Sequence, residues 1–192
     1  MRVLRQEPWE CLVSFICSAN NNIPRITRNV GDIASAFGSP ILDGTSCPNA
    51  FPTADRLAEA GEPALRELGL GFRARYVAAA AERVARSQID LFGLREASYQ
   101  EALDALMELP GVGDKIANCV LLFSLDKLEA FPVDVWIDRA LREWYFTDSK
   151  AQVTRGYMRA WAQERFGRYA GYANQYLFHQ RRLQGRDSDK PA

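Results

Sequence analysis

Histidine is nearly missing from this chain: His179 is the only one in 192 residues. Standing alone, it is a poor basis for imidazole catalysis or metal ligation. The four cysteines (Cys11, Cys17, Cys47 and Cys119) form no CxxC pair and no ligand-like cluster. No metal or iron–sulfur site is therefore expected, no cofactor is called for, and the thiols read as reduced and mostly core. No apolar run approaches membrane-spanning length and no early stretch resembles a signal peptide, so a soluble protein away from the membrane is expected. Net charge is also missing, because 24 basic residues balance 24 acidic ones. Any site for a polyanion must then be a local basic patch. No segment reads as a strand, and no internal repeat shows.

What remains is helix. With 47% hydrophobic residues the chain can bury a real core, and its length suits one all-α domain of two lobes over about 1–184, followed by a polar tail from Gly185. A first helix is expected from about Glu7 to Ala19, with Pro8 in its first turn and Leu12, Phe15, Ile16 and Ala19 at helical spacing. Asn20-Asn21-Asn22 ends it. Pro24 restarts a helix that should carry Ile26, Val30, Ile33 and Phe37 inward. Gly38 to Pro52 reads as the longest loop. Thr53 should cap a short helix to Ala60, and Pro63–Leu68 should form another, closed by Gly69. An alanine-rich helix then ends near Ser87. Late helices are expected over about Pro132–Phe146, Ala151–Phe166 and Tyr169–Leu183.

The centre of the chain is Leu109-Pro110-Gly111-Val112-Gly113-Asp114-Lys115, with Pro132-Val133-Asp134 ending nineteen residues past the lysine. Ser98-Tyr99-Gln100-Glu101 reads as a capping box that opens a helix with Leu103, Leu106 and Leu109 on one face. Pro110 stops it, Gly111 and Gly113 permit a tight turn, and a second helix starts near Asp114. This is a helix-hairpin-helix, hereafter the hairpin. Its small residues let the turn approach a phosphate, and helix-start amides favour an anion.

Lys115 sits in the first turn of that second helix, where the positive end of the dipole disfavours an ammonium. A neutral amine there could attack a sugar carbon and form a Schiff base. Asp134 could supply the carboxylate such chemistry needs. On the residues alone, the lysine could equally bind phosphate and the aspartate could be an N-cap. Three other stretches are open in the same way. The three asparagines are a turn-and-cap device or short amides that reach an orphaned base. Phe72, beside Arg73 and Arg75 after a double-glycine turn, is a core ring or a wedge into a DNA stack. Tyr172, Tyr176 and Phe178 make the last helix unusually aromatic, for packing or for stacking on a flipped base.

Four stretches together resemble one known family: Ser14 to Ile26, with its asparagine run; Leu68 to Tyr76; Leu109 to Cys119 with Pro132-Val133-Asp134-Val135-Trp136; and Tyr169 to Ala173. They are spread over nearly the whole chain and look like the helix-hairpin-helix DNA glycosylases with a catalytic lysine, specifically the 8-oxoguanine DNA glycosylase/AP lyases. The resemblance implies an enzyme of base-excision repair that removes 8-oxoguanine opposite cytosine from duplex DNA through a lysine Schiff base and β-elimination. Lys115 would be the nucleophile and Asp134 the essential carboxylate. Cys119 and Phe178 would sandwich the damaged base near Phe123, and Asn174 would read its edge, where the family usually has glutamine. Asn20, Arg25 and Arg73 would face the opposite cytosine, Phe72 would be the wedge, and Gly111, Val112 and Gly113 would grip the backbone. Trp136 stands where eukaryotic members have histidine and resembles bacterial-type members there, which implies a bacterial source; a monomer in the cytoplasm, at the bacterial nucleoid, is expected. Members usually begin with an antiparallel β domain, whereas this sequence starts at about the first helix, so that domain is expected to be missing. The alternatives are a non-catalytic DNA-binding module or fragment, and a glycosylase for a different damaged base.

Overall fold

The computed structural model of the chain describes residues 2–41, 49–147 and 153–188, with side chains through residue 183. Helix α1 spans Pro8–Cys17, with proline in its first turn and the Glu7 carboxylate accepting from the Glu10 amide. The chain leaves it through Asn20, whose φ of 50° lies in the left-handed region that asparagine tolerates. Asn22 then caps α2, Ile23–Phe37, by accepting from the Arg25 amide. Of the four residues expected to point inward from α2, only Ile33 is fully buried; Ile26, Val30 and Phe37 are half-buried. The helix lies at the edge of its bundle, so only the centre of its apolar stripe is covered.

Thr53 caps α3, Ala54–Leu65, which breaks at Gly61 (φ 69°) into the two short pieces expected. A π-type turn over Arg66–Leu70 follows, with Gly69 at φ 77°, and leads into α4, Arg73–Ala85. Next come α5 (Tyr99–Met107), α6 (Asp114–Ser124), α7 (Val135–Trp144), α8 (Arg155–Phe166) and α9 (Ala170–Ser188). The described residues contain no named strand, only an isolated antiparallel bridge between Pro40 and Asn49. The fold is all-α.

Two cores define two lobes. Leu12, Ile16, Leu57, Leu70, Leu106 and Leu121 belong to the first, built by α1–α6. Phe131, Val133, Ile137, Leu141, Met158 and Ala162 belong to the second, built by α7–α9. The chain passes from one to the other between Ala130 and Phe131. The lobes are sewn together at α9, where the Gly171 amide donates to the Leu128 carbonyl at 2.8 Å. A Cβ on Gly171 would run into Leu122 and the carbonyls of Leu128 and Ala130, so only glycine allows this approach.

Three expected boundaries move. α8 begins at Arg155 rather than about Ala151, because Thr154 is extended and accepts from the Tyr157 amide as its N-cap. α7 begins at Val135 rather than Pro132, because Asp134 is extended (φ −89°, ψ −174°) and acts as its N-cap. α9 continues through Ser188, past the tail expected from Gly185, since each added residue closes one more backbone hydrogen bond without needing an apolar face. Cys47, Ala151, Gln152 and residues 189–192 lie outside the described residues. No described helix is long and apolar enough to cross a membrane.

Candidate active site

The hairpin forms as its residues dictate. Ser98 and Glu101 make the reciprocal capping box at the start of α5. At the turn Gly111 adopts φ 81°, and a Cβ there would collide with the Tyr76 ring that packs over it from α4. Val112 is buried and ties the turn inward, its amide donating to the Leu109 carbonyl at 3.0 Å. Gly113 precedes α6 without any side-chain cap. Gly111 and Gly113 are exposed, so the turn presents unshielded backbone to solvent beside the first amides of α6.

Lys115 lies one residue into that helix, half-buried. Its Nζ donates to Ser18 Oγ at 3.1 Å and lies 5.2 Å from the centre of the Phe15 ring. Cys119, one turn further along α6, is buried. Burial pushes its thiol up to about 12, the Lys115 amine beside it pulls the other way, and Asp134 adds to the rise. The thiol therefore stays neutral and feels both groups. The thiol sits beside the lysine and within electrostatic reach of the Asp134 carboxylate.

Asp134 does act as an N-cap: one carboxylate oxygen accepts from the Ile137 amide at 2.8 Å. The other has no hydrogen-bond partner among the described residues. Just before it, Asn174 of α9 reaches across and donates to the Pro132 carbonyl at 2.8 Å. Its own carbonyl accepts from Gln175 at 3.1 Å, and the side chain is buried. The structure thus turns Asn174 toward the Pro132–Asp134 turn, which it braces. Phe178, one turn on, is half-buried with Arg182 over its ring, and Phe123 stacks on Phe15 at 5.6 Å.

The second group of expected residues gathers at the corner between α1 and α2. Phe72 is 44% exposed, edge-on to Tyr76 and under the Arg73 guanidinium. That exposure separates it from an ordinary core ring. Arg73 is buried and turned inward: Nε donates to the Ala19 carbonyl at 2.7 Å, Nη2 to the Asn20 carbonyl at 2.8 Å and Nη1 to the Leu70 carbonyl at 3.3 Å. It holds the Asn20 corner against the glycine turn. Arg25 is exposed and lines a groove of about 530 Å³ with Asn22, Arg28, Asn29 and Gly69. Asn20 is exposed beside it. Among the described residues no three His, Cys, Asp or Glu side chains are placed to hold a metal ion.

Residues 13–163 match the family model described as HhH-GPD superfamily base excision DNA repair protein. The chain belongs to this superfamily. Within it, the chain is 39% identical to the N-glycosylase/DNA lyase OGG1 of Arabidopsis thaliana, over 92% of this chain and 51% of the relative. It is 34% identical to the N-glycosylase/DNA lyase of Saccharomyces cerevisiae, over 93% and 56%. The Clostridium acetobutylicum 8-oxoguanine glycosylase/lyase, in complex with double-stranded DNA containing cytosine opposite to 8-oxoG, superposes with a TM-score of 0.89. That match has 36% identity and covers 96% of this chain and 62% of the other. A structure of MBOgg1 with a low-affinity DNA ligand gives 0.90 at 39% identity, over 96% and 63%. This chain therefore spans only about half to three-fifths of these superfamily members' length.

Sequence reasoning missed Ser18, Phe15 and Arg159. Ser18 meets Lys115 across 97 residues of chain, and no periodicity or spacing carries that signal. Arg159 of α8 reaches the start of α6, its Nε 2.9 Å from Asp114. Its Nη1 donates to the Tyr99 hydroxyl at 2.9 Å, and that hydroxyl donates to Asn118 at 2.8 Å.

Proposed function

We propose that the chain is a bifunctional DNA glycosylase/AP lyase of base-excision repair that removes 8-oxoguanine from duplex DNA. The observation that carries this reading is the half-buried Lys115 at the start of an uncapped hairpin helix, beside the Cys119 thiol that also feels the Asp134 carboxylate. The exposed backbone of Gly111 and Gly113 would hold a phosphate. The exposed Phe72 would fill the gap left by a flipped nucleotide. Arg25 and Asn20 would face the opposite base, with Arg73 fixing the corner that carries Asn20. Cys119 and Phe178 would flank the flipped base, near Phe123.

In the chemistry, the Lys115 lone pair attacks C1′ of the sugar and the C1′–N bond breaks. The base leaves with that electron pair and takes up a proton. The amine loses a proton, the ring oxygen leaves C1′ and is protonated, and a protonated Schiff base results. Loss of a C2′ proton then expels the 3′ phosphate, and water releases the unsaturated sugar. Asp134, with one oxygen unpartnered, stabilises the positive charge that develops on the sugar.

Borohydride trapping on duplexes with 8-oxoguanine opposite each of the four bases tests this. Covalent capture strongest opposite cytosine, and lost in Lys115→Gln, is expected. Capture that survives Lys115→Gln overturns the assignment of the nucleophile. One observation favours a second reading, a glycosylase for a different damaged base: Asn174, expected to read the base edge, is buried against Pro132. Cutting of abasic DNA without cutting of 8-oxoguanine DNA would mean that the lyase machinery works without recognition of this base, and release of another damaged base by the same chain would favour the second reading.

A further inference from the structure

We propose that Ser18 is a positioning residue that sets the direction of the Lys115 lone pair, an inference that rests on the lysine being the nucleophile. The Ser18 hydroxyl has a single proton, and it is already committed: Oγ donates to the Phe15 carbonyl at 2.6 Å, within the last turn of α1. Toward Lys115 the oxygen can therefore only accept. The 3.1 Å contact must be an N–H of the amine donating to Ser18 Oγ, and a lone pair on nitrogen cannot point that way.

The amine's other directions are also restricted. The Phe15 ring face stands 5.2 Å from Nζ, and the neutral Cys119 thiol lies beside the amine on α6. Ser18 and Phe15 come from one helix and Lys115 and Cys119 from another, and α1 and α6 pack directly on each other. In its reactive, deprotonated form the amine has two N–H bonds and one lone pair. With one N–H held by Ser18, the lone pair is directed away from that oxygen. Without the serine acceptor the amine rotates freely about Cε–Nζ, and fewer of its orientations lead to attack.

Ser18 touches neither sugar nor base in this account, so its effect must appear in the rate rather than in DNA binding. The test is single-turnover borohydride trapping of wild type, Ser18→Ala and Ser18→Thr on an abasic duplex, with dissociation constants measured on a non-cleavable duplex. We expect Ser18→Ala to trap roughly ten- to a hundredfold more slowly with an unchanged dissociation constant, and Ser18→Thr to recover most of the rate. A spectroscopic arm works without turnover: the 13Cε resonance of Lys115, identified by its loss in Lys115→Gln, should move in Ser18→Ala and return in Ser18→Thr. If wild type traps nothing, the proposed function fails while the resonance still reports the contact. A Ser18→Ala variant with wild-type rate, or with an unmoved resonance, overturns the role of Ser18.

Discussion

At the scale of residues, Asp134 caps α7 and, in the proposed function, also serves catalysis, and substitution can separate the two. As N-cap it accepts the Ile137 amide, and asparagine does this about as well as aspartate whereas alanine does not. Asp134→Asn should melt close to wild type yet lose most trapping activity. Asp134→Ala should lose activity and about 1 kcal/mol of stability as well. Thermal melts beside single-turnover trapping check both. The buried thiols make a different prediction. Burial raises Cys11, Cys17 and Cys119 from 9.0 to about 12. The unfolded chain therefore releases these protons near pH 9 while the folded chain holds them. Their contribution to stability is intact below pH 9 and falls as pH rises from 9 toward 12, by at most about 1.4 kcal/mol per pH unit per thiol. Urea midpoints at pH 7, 9 and 10.5 should show the decline, reduced in Cys17→Ala. A thiol reagent at pH 8 should leave these three unmodified until the protein unfolds.

At the scale of elements, the hairpin turn depends on one glycine for two independent reasons. Gly111 needs positive φ, and it needs room beneath the Tyr76 ring. Gly111→Ala should destabilise the protein by more than 1 kcal/mol and weaken duplex binding. Gly111→Ala combined with Tyr76→Ala would restore room but not φ, so its binding should recover only in part; denaturant unfolding and a binding isotherm decide. This element was also the most legible in the sequence, because capping box, proline stop and glycine turn are local rules that act over a few residues. The break of α3 at Gly61 and the cap at Thr53 were legible for the same reason. The start of α7 and the end of α9 were not. The first depended on Asp134 taking the capping role, and the second on helix propagation through polar residues.

At the scale of the whole molecule, the lobes are held together by few polar ties, and Arg159 is central to them. Its Nε is 2.9 Å from Asp114 but lies off the N–H axis, so the contact is an ion pair rather than an aligned hydrogen bond. Through Tyr99 and Asn118 the same side chain braces both hairpin helices. Arg159→Met should lower stability by about 1 kcal/mol, a figure kept small because both partners are partly exposed. It should also weaken DNA binding through a loosened α6 start; urea unfolding and binding at two salt concentrations would show each. Arg159→Met with wild-type values in both would mean that the lobes are joined without help from this side chain.

Helical class and the hairpin were determined by the sequence itself, since caps, glycine turns and apolar spacing act locally. Tertiary structure decided which atoms meet. It put Ser18 against Lys115, turned Asn174 onto Pro132 and buried Arg73 under the Asn20 corner. It also left Phe72 in solvent. Those outcomes depend on how the faces of distant helices pack, and a contact between residues 97 positions apart leaves no mark on the pattern of either segment.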